Sequence, residues 1–319
     1  MDTLNPIISL STSFLQSRYP TDGYAMLCRA AELGYEYVEL GHSTPITSLE
    51  GIFKALNEGV VKVSSLHNFC PVPPFASGAV PNLFSPSTKS KIESQQWIRH
   101  TLNTLELAKQ TQAKAIVSHS GALSYFLFRP DAKISKLLED KDLSNFEEED
   151  IEFAKVRDKF LKKTTHRAIT KDYNFLLKNL KTIEEHLKKS NVFMGIENRE
   201  GISELPLDWT FSALFEKIGN SPTIKVWHDL GHSKIKEIKH LYKQQQLIED
   251  TYDKFAGWHI HDCTNAGKDH LALGEGCINF ESLKQYFDSS KHIFTLELNY
   301  KVRSAQAADS LKRFQDILS

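Results

Sequence analysis

The chain lacks most of the features that would place it in a specialised class. Its 319 residues hold only four cysteines, Cys28, Cys70, Cys263 and Cys277, with no CxxC pair. That scatter argues against a disulfide framework or a thiolate-rich zinc site, and it suits a reducing compartment. Neither sign of charge dominates: 39 basic residues face 40 acidic ones, for a net charge of −1. Such a balance offers no global pull towards nucleic acid or an anionic membrane. No apolar run is long enough to span a bilayer, and the opening MDTLNPIISLSTSF has no basic stretch ahead of an apolar core. The expectation is a cytoplasmic protein with no membrane partner. A Gly-rich phosphate loop after the first strand is also missing, which argues against an open doubly wound sheet.

What is present is a repeated pattern. VKVSSLHNF, AKAIVSHSG, NVFMGIENRE, IKVWHDLGH, FAGWHIHD and IFTLELNY each run apolar and extended, then stop on a side chain able to bind a metal. Those side chains are His67, His119, Glu197, Asp229 with His232, His259 with His261, and Glu297. Two earlier strands are expected, in PIISLSTSF over about residues 6–14 and in YEYVELG, which ends on Glu39 and Gly41. Helical periodicity fills the intervals: Tyr24, Leu27, Cys28 and Ala31 share a face, Gly34 is placed as a C-cap, and IKEIKHLYKQQQLIEDTYDKF reads as one long amphipathic helix. Eight strands alternating with helices predict an α/β fold, a (β/α)8 TIM barrel forming a single domain over residues 1–319.

Two segments interrupt the regular spacing. FCPVPPFASGAVPNLFSPSTKS carries five prolines after His67 and reads as a long loop, either a wall of the site or a surface excursion. Between His119 and Glu197 the chain is about twice as long as one βα unit, predicting an insertion after the fourth strand (about 125–165) and an extended helix over about 150–189.

Taken singly, each strand-end carboxylate or imidazole has an ordinary explanation as a helix cap, an ion-pair partner or a core histidine. Together they require six coincidences at one end of one architecture. Glu197 and Glu297 each follow an apolar run, where an unpaired carboxylate would be costly. The D-x-x-H spacing lets Asp229 and His232 face one cavity, and the alternation in WHIHD puts His259 and His261 on one face. Oxygen and imidazole donors without thiolate suit Mn²⁺, Zn²⁺, Fe²⁺ or Co²⁺.

YEYVELG, IENRE, HDLGH, HIHD…DHLALGEG and the terminal TLEL resemble the xylose-isomerase-like TIM-barrel superfamily, which includes sugar and sugar-phosphate isomerases and epimerases as well as apurinic-site endonucleases. The resemblance implies metal ligation by Glu197, Asp229, His259 and Glu297, with His261 as the substitute for His259 and Asp262 behind them. It also gives roles to His67, His119, His232 and His270, as ligands of a three-zinc cluster in the endonucleases, whereas the epimerases use the His of D-x-x-H on the substrate. The endonucleases carry an Asp two residues before the last of these histidines; here that position is Lys268, and the adjacent Asp269 is expected to point elsewhere. The LGEG glycines, Gly274 and Gly276, read as a tight turn.

The activity expected is a metal-dependent isomerase or epimerase acting on a ketose or related sugar (phosphate) by proton transfer through a metal-stabilised ene-diolate. Glu197 and Glu297 are its proton-transfer residues, and His232, His261, His270 and Arg199 contact the substrate. A divalent metal (Mn, Zn, Co or Mg) is the expected cofactor, with no organic cofactor. The alternative is a zinc-dependent phosphodiester hydrolase of the apurinic-site endonuclease type, in which His67 and His119 find a use. A small sugar is the expected partner, nucleic acid is tied to the alternative, and an oligomer is compatible with either.

Overall fold

In the computed structural model, residues 6–76, 78–123, 125, 130–139 and 151–319 are described. Eight strands close into a barrel in chain order: β1 (Ile7–Ser11), β2 (Tyr37–Leu40), β3 (Lys62–His67), β4 (Ala115–Ser118), β5 (Phe193–Glu197), β6 (Ile224–Asp229), β7 (Phe255–Ile260) and β8 (Ile293–Leu296). Every neighbouring pair is parallel, and β8 returns to β1 through Ile7–Ile293 and Leu10–Leu296. Parallel strands joined by helical crossovers leave no free edge, and all eight C-terminal strand ends meet at one mouth. β1 is shorter than its sequence pattern suggested, because Ser13–Gln16 turns into a short helix.

Alternation along each strand divides its side chains between barrel interior and helical layer. Trp227 fills the interior floor. Its indole lies so close to β5 and β7 that a Cβ on Gly257 would sit 2.2 Å from it and one on Gly195 2.9 Å. Two register shifts, between Val38 and Glu39 on the β2–β3 pair and between Val226 and Trp227 on the β6–β7 pair, re-aim the strand ends beyond them. Beyond these shifts Glu39 is paired with Ser65 and Asp229 with His259.

The helical layer follows the sequence signals closely. Gly23–Glu32 is capped by Asp22, which accepts from the Ala25 amide, and Gly34 follows it with φ +95°. The 20-residue helix Lys91–Gln110 begins at Ser90, whose hydroxyl accepts from the Glu93 amide. Helical structure runs on from Ile151 to Leu187 through a π turn at Ala168–Asp172. The segment expected as a single helix after β6 is instead two, Leu230–Ile238 and Gln244–Thr251. His240 breaks it with φ +51°, while the Leu241 amide reaches back to the Lys236 carbonyl and the His240 amide to that of Glu237. This is a Schellman-type ending with histidine where glycine is usual.

In the inserted region, Pro130–Glu139 and Ile151–Arg167 pack together through Ile134, Leu138, Phe153 and Phe160, and onto Ile202 and Leu241 of the mouth loops. The parts of the expected insertion at 126–129 and 140–150 lie outside the described residues. Among the described residues no helix is long and apolar enough to cross a membrane.

Candidate metal centre

The strand ends deliver a dense set of ligating atoms. His67, Glu197 and Asp229 are the last residues of β3, β5 and β6; His119 and Glu297 directly follow β4 and β8; His259 lies one residue inside the end of β7. Glu197, Asp229 and His259 are completely buried, at 0 % exposure, which no isolated charge would tolerate. Their atoms form three neighbouring groups, each with all ligand atoms within 4.8 Å: His67–His119–Glu197, Glu197–Asp229–His259–Glu297, and His232–Asp269–His270. Glu197 belongs to two of them.

The hydrogen bonds around the imidazoles decide which nitrogen each one offers. His119 Nδ1 lies 2.8 Å from Asn82 Oδ1, His67 Nδ1 3.1 Å from the Asn68 carbonyl, His232 Nδ1 3.0 Å from the Asn198 carbonyl and His270 Nδ1 2.9 Å from the Glu297 carbonyl. Each of these oxygens accepts, so in the neutral ring Nδ1 carries the proton and Nε2 keeps a lone pair. The four lone pairs are aimed at carboxylates. Nε2 of His119 and of His67 face Glu197 Oε2 at 2.9 and 3.5 Å, and Nε2 of His232 and of His270 face Asp269 Oδ2 at 3.7 and 3.8 Å. His119 Nε2 and Asp269 Oδ2 are buried without a hydrogen-bond partner. A lone pair against a carboxylate is repulsive unless a cation lies between them, and the donor set therefore fits divalent metal ions.

The central group makes the same argument with different atoms. His259 Nδ1 lies 2.9 Å from Glu197 Oε1, 3.0 Å from Glu297 Oε2 and 3.6 Å from Asp229 Oδ2. One ring nitrogen carries at most one proton and cannot satisfy three carboxylates. His259 Nε2, in contrast, lies 3.3 Å from Glu39, whose other partner is the Ser65 hydroxyl at 2.8 Å. Glu39 thus takes the Nε2 proton and leaves Nδ1 as the free donor, the arrangement in which a carboxylate behind a histidine orients it for a metal.

His261 has the opposite tautomer. Its Nδ1 accepts the His270 amide at 2.9 Å, so its Nε2–H donates to the Asp229 carboxylate at 3.0 and 3.1 Å. With both nitrogens used, His261 orients Asp229, while His259 points into the centre. Asp262 lies behind them and accepts four amides, from Cys263, Gly274, Gly276 and Ile278, which makes the LGEG segment the turn its glycines predicted.

The expectation that Asp269 points elsewhere is corrected. His270 adopts φ +53°, and its amide, ring and carbonyl are pinned by His261, Glu297 and the Asn299 amide. The left-handed bend brings two consecutive side chains to one side, and Asp269 joins His270 and His232 in one group. Arg199, expected on the substrate, is buried against carboxylates, with Nη1 3.0 Å from Glu197 Oε2 and Nε 3.6 Å from Glu204.

Electrostatics favour ionised carboxylates and divide the rings: burial holds His119 and His232 low, whereas His67, His259 and His261, the last at about 9, are raised because the carboxylates around them outweigh burial. Burial opposes charge on Glu197, but the Arg199 guanidinium and His119 hold its carboxyl well below the usual range. Burial likewise opposes ionisation of Asp229, and His232 and His261 outweigh it. Burial pushes His119 down to about 3, with Arg199 adding to the effect, so its imidazole is neutral.

Sequence reasoning did not assign roles to Glu39, Asn82, Asn198 or Asp269. Asn198 donates to the Asp229 carbonyl at 2.9 Å, accepts the Asp229 amide at 2.7 Å and receives His232 on its own carbonyl, stitching β5 to β6. Glu39 was visible as a strand end. Asn82 sits in the proline-rich loop, which supplies no periodic signal.

Solved structures share this architecture across the whole chain. The 3-keto-D-glucoside 4-epimerase of E. coli superposes with a TM-score of 0.66 at 15 % identity, covering 98 % of this chain and 99 % of that one. The family 2 AP endonuclease of Brucella melitensis gives 0.61 at 15 % identity, covering 98 % of both. An L-ribulose 3-epimerase gives 0.66 at 14 %, covering 99 % of this chain and 95 % of that one. An uncharacterised protein of Methanocaldococcus jannaschii is 24 % identical over 271 residues, 83 % of this chain and 82 % of the relative. The family model described as the xylose isomerase-like TIM barrel matches residues 27–317, and the chain belongs to that family.

Proposed function

We propose that the protein is a divalent-metal-dependent hydrolase of phosphate esters, with cations held by three adjoining groups. One observation carries this reading: His232, His270 and Asp269 form a third ligand group beside the two that share Glu197. A single-cation isomerase needs only Glu197, Asp229, His259 and Glu297. It would give His270 a substrate contact but leave His67 and His119 buried with Nε2 turned on Glu197, and Asp269 between His232 and His270, without a use.

Bound cations would supply Lewis-acid stabilisation of the charge that develops on phosphoryl oxygens. The chain's own part is to hold and aim the ligands. Glu197 presents Oε2 to His67 and His119 and Oε1 to His259, so one carboxylate spans two groups. Glu39 keeps His259 Nδ1 free, His261 steadies Asp229, and Asn82 fixes His119 from the loop above. Arg199 adds positive charge next to Glu197 and helps keep that carboxylate ionised. The near-neutral charge of the chain gives no steering towards a duplex, which favours a small phosphate ester as substrate.

A second reading, an isomerase or epimerase of a ketose, is favoured by Glu197 and Glu297, which place one oxygen each on His259 Nδ1 at 2.9 and 3.0 Å. In that case the two carboxylates exchange protons with the faces of a bound carbonyl compound. The deciding experiment incubates the Zn²⁺-, Mn²⁺- or Co²⁺-loaded protein with bis(p-nitrophenyl) phosphate and an abasic oligonucleotide, and in parallel with a ketose panel in D₂O. Hydrolysis without deuterium uptake supports the hydrolase. Deuterium uptake without hydrolysis overturns it in favour of the isomerase.

A further inference from the structure

His42, on the turn after β2, and His261 stand beside the centre outside the three groups; His261 is spent on Asp229 and the His270 amide, whereas His42 is not bonded to any described residue. Its backbone is clamped. The Gly41 amide donates to Thr12 Oγ1 at 2.8 Å, and the Gly41 carbonyl accepts the Thr44 amide at 3.1 Å and the Thr44 hydroxyl at 2.8 Å. Gly41 itself presses on Ser13, where a Cβ would come within 2.3 Å of the hydroxyl oxygen. This close approach fixes the turn and with it the direction of the next side chain.

The ring of His42 meets that of His67 edge-on, with centroids 4.7 Å apart and planes at 81°. His67 in turn meets His119 at 4.8 Å and 88°. His42 therefore borders the His67–His119–Glu197 group without joining it. Among the described residues, its buried Nδ1 has no partner, and Nε2, which is not fully buried, makes no hydrogen bond. A proton on Nδ1 would bury an unpaired N–H, so the proton belongs on Nε2, at the accessible edge of the ring. The result is a fixed hydrogen-bond donor at the mouth with no acceptor among the described residues.

We propose that His42 is a substrate-binding residue whose Nε2–H donates to an oxygen of the phosphate group at the edge of the His67–His119–Glu197 group. This rests on the hydrolase reading of the same site. A rigid donor at that edge would distinguish an oxyanion from an uncharged sugar hydroxyl, because donation to a charged acceptor is worth about twice as much as to a neutral one.

The test is calorimetric titration of metal-loaded protein with inorganic phosphate, comparing wild type, His42→Phe and His42→Asn, with the metal content of each measured first. His42→Phe keeps the ring against His67 and removes the donor; His42→Asn restores a donor. The expected result is unchanged metal content, phosphate affinity weaker by about 10- to 100-fold in His42→Phe, and partial recovery in His42→Asn. Equal affinity in all three proteins overturns the proposal, as does a wild type that binds no phosphate. Loss of a cation from His42→Phe also overturns it, by making His42 part of the metal site. If phosphate binding depends on His42 but wild type cleaves no phosphate ester, the hydrolase reading fails and the anion contact stands.

Discussion

Glu39 and His259 lie 3.3 Å apart inside the barrel, carboxylate to Nε2, and this contact sets which nitrogen His259 turns towards Glu197, Asp229 and Glu297. Glu39 belongs to none of the three groups found among the described residues, yet its charge and position determine the form of the central donor. A carboxylate behind a metal-binding histidine both orients the ring and raises its basicity.

Replacing Glu39 with Gln should therefore weaken cation binding at the central group by about 10- to 100-fold while leaving the fold intact. Chelator competition with circular dichroism as the folding control checks this. Unchanged affinity would mean that His259 needs no partner.

Asp269→Asn should remove one cation per chain and leave the two groups built on Glu197 filled. Metal analysis of the dialysed variant beside wild type measures the difference. Equal content in the two proteins would show that Asp269 is only a neighbour of His232 and His270.

Acid sensitivity should arise in part from His292, far from the centre. Its Nδ1 accepts the Trp258 indole N–H and the Asp288 amide, both at 3.1 Å, and burial lowers its pKa from 6.5 to about 4. As pH falls through 6.5 the unfolded chain takes up this proton first, while the folded protein resists it until about pH 4. Stability contributed by His292 is present above 6.5 and lost across that window, up to about 3 kcal/mol. His292→Gln should flatten the fall in Tm between pH 6.5 and 4.5; an unchanged slope would assign the acid sensitivity to other groups.

The barrel floor allows a packing test. Gly257→Ala would place a methyl 2.2 Å from the Trp227 ring, inside a closed barrel with little room to shift. The expected cost is about 1–3 kcal/mol, read by chemical denaturation, together with a change in tryptophan emission. A neutral result would mean that Trp227 moves freely, contrary to a close-packed floor.

The barrel and most of the centre were legible because period-2 strands ending in ligating residues advertise both their direction and their mouth. His67, His119, Glu197, Asp229, His259 and Glu297 all lie where that pattern placed them. Asp269 was not legible. Neighbours in an extended segment face opposite ways, and nothing in KDH announces that His270 takes a left-handed φ of +53°. The tautomers that separate His259 from His261 depend on Glu39 and on the His270 amide, so the residues alone name the pair and the preference for His259 comes from the family resemblance. The helix after β6 looked continuous because His240 is no customary breaker; its left-handed turn is imposed by the Schellman-type ending. Asn82 reaches His119 from a loop whose course no periodicity encodes.

The most direct test of the central claim is the number of cations bound per chain, measured by elemental analysis of protein saturated with Zn²⁺ and freed of excess, with Glu197→Gln as the paired variant. The account predicts three equivalents in the wild type and the loss of at least two in Glu197→Gln, because that carboxylate is common to two groups. A single equivalent in the wild type, unaffected by chelators that spare the central group, would contradict it.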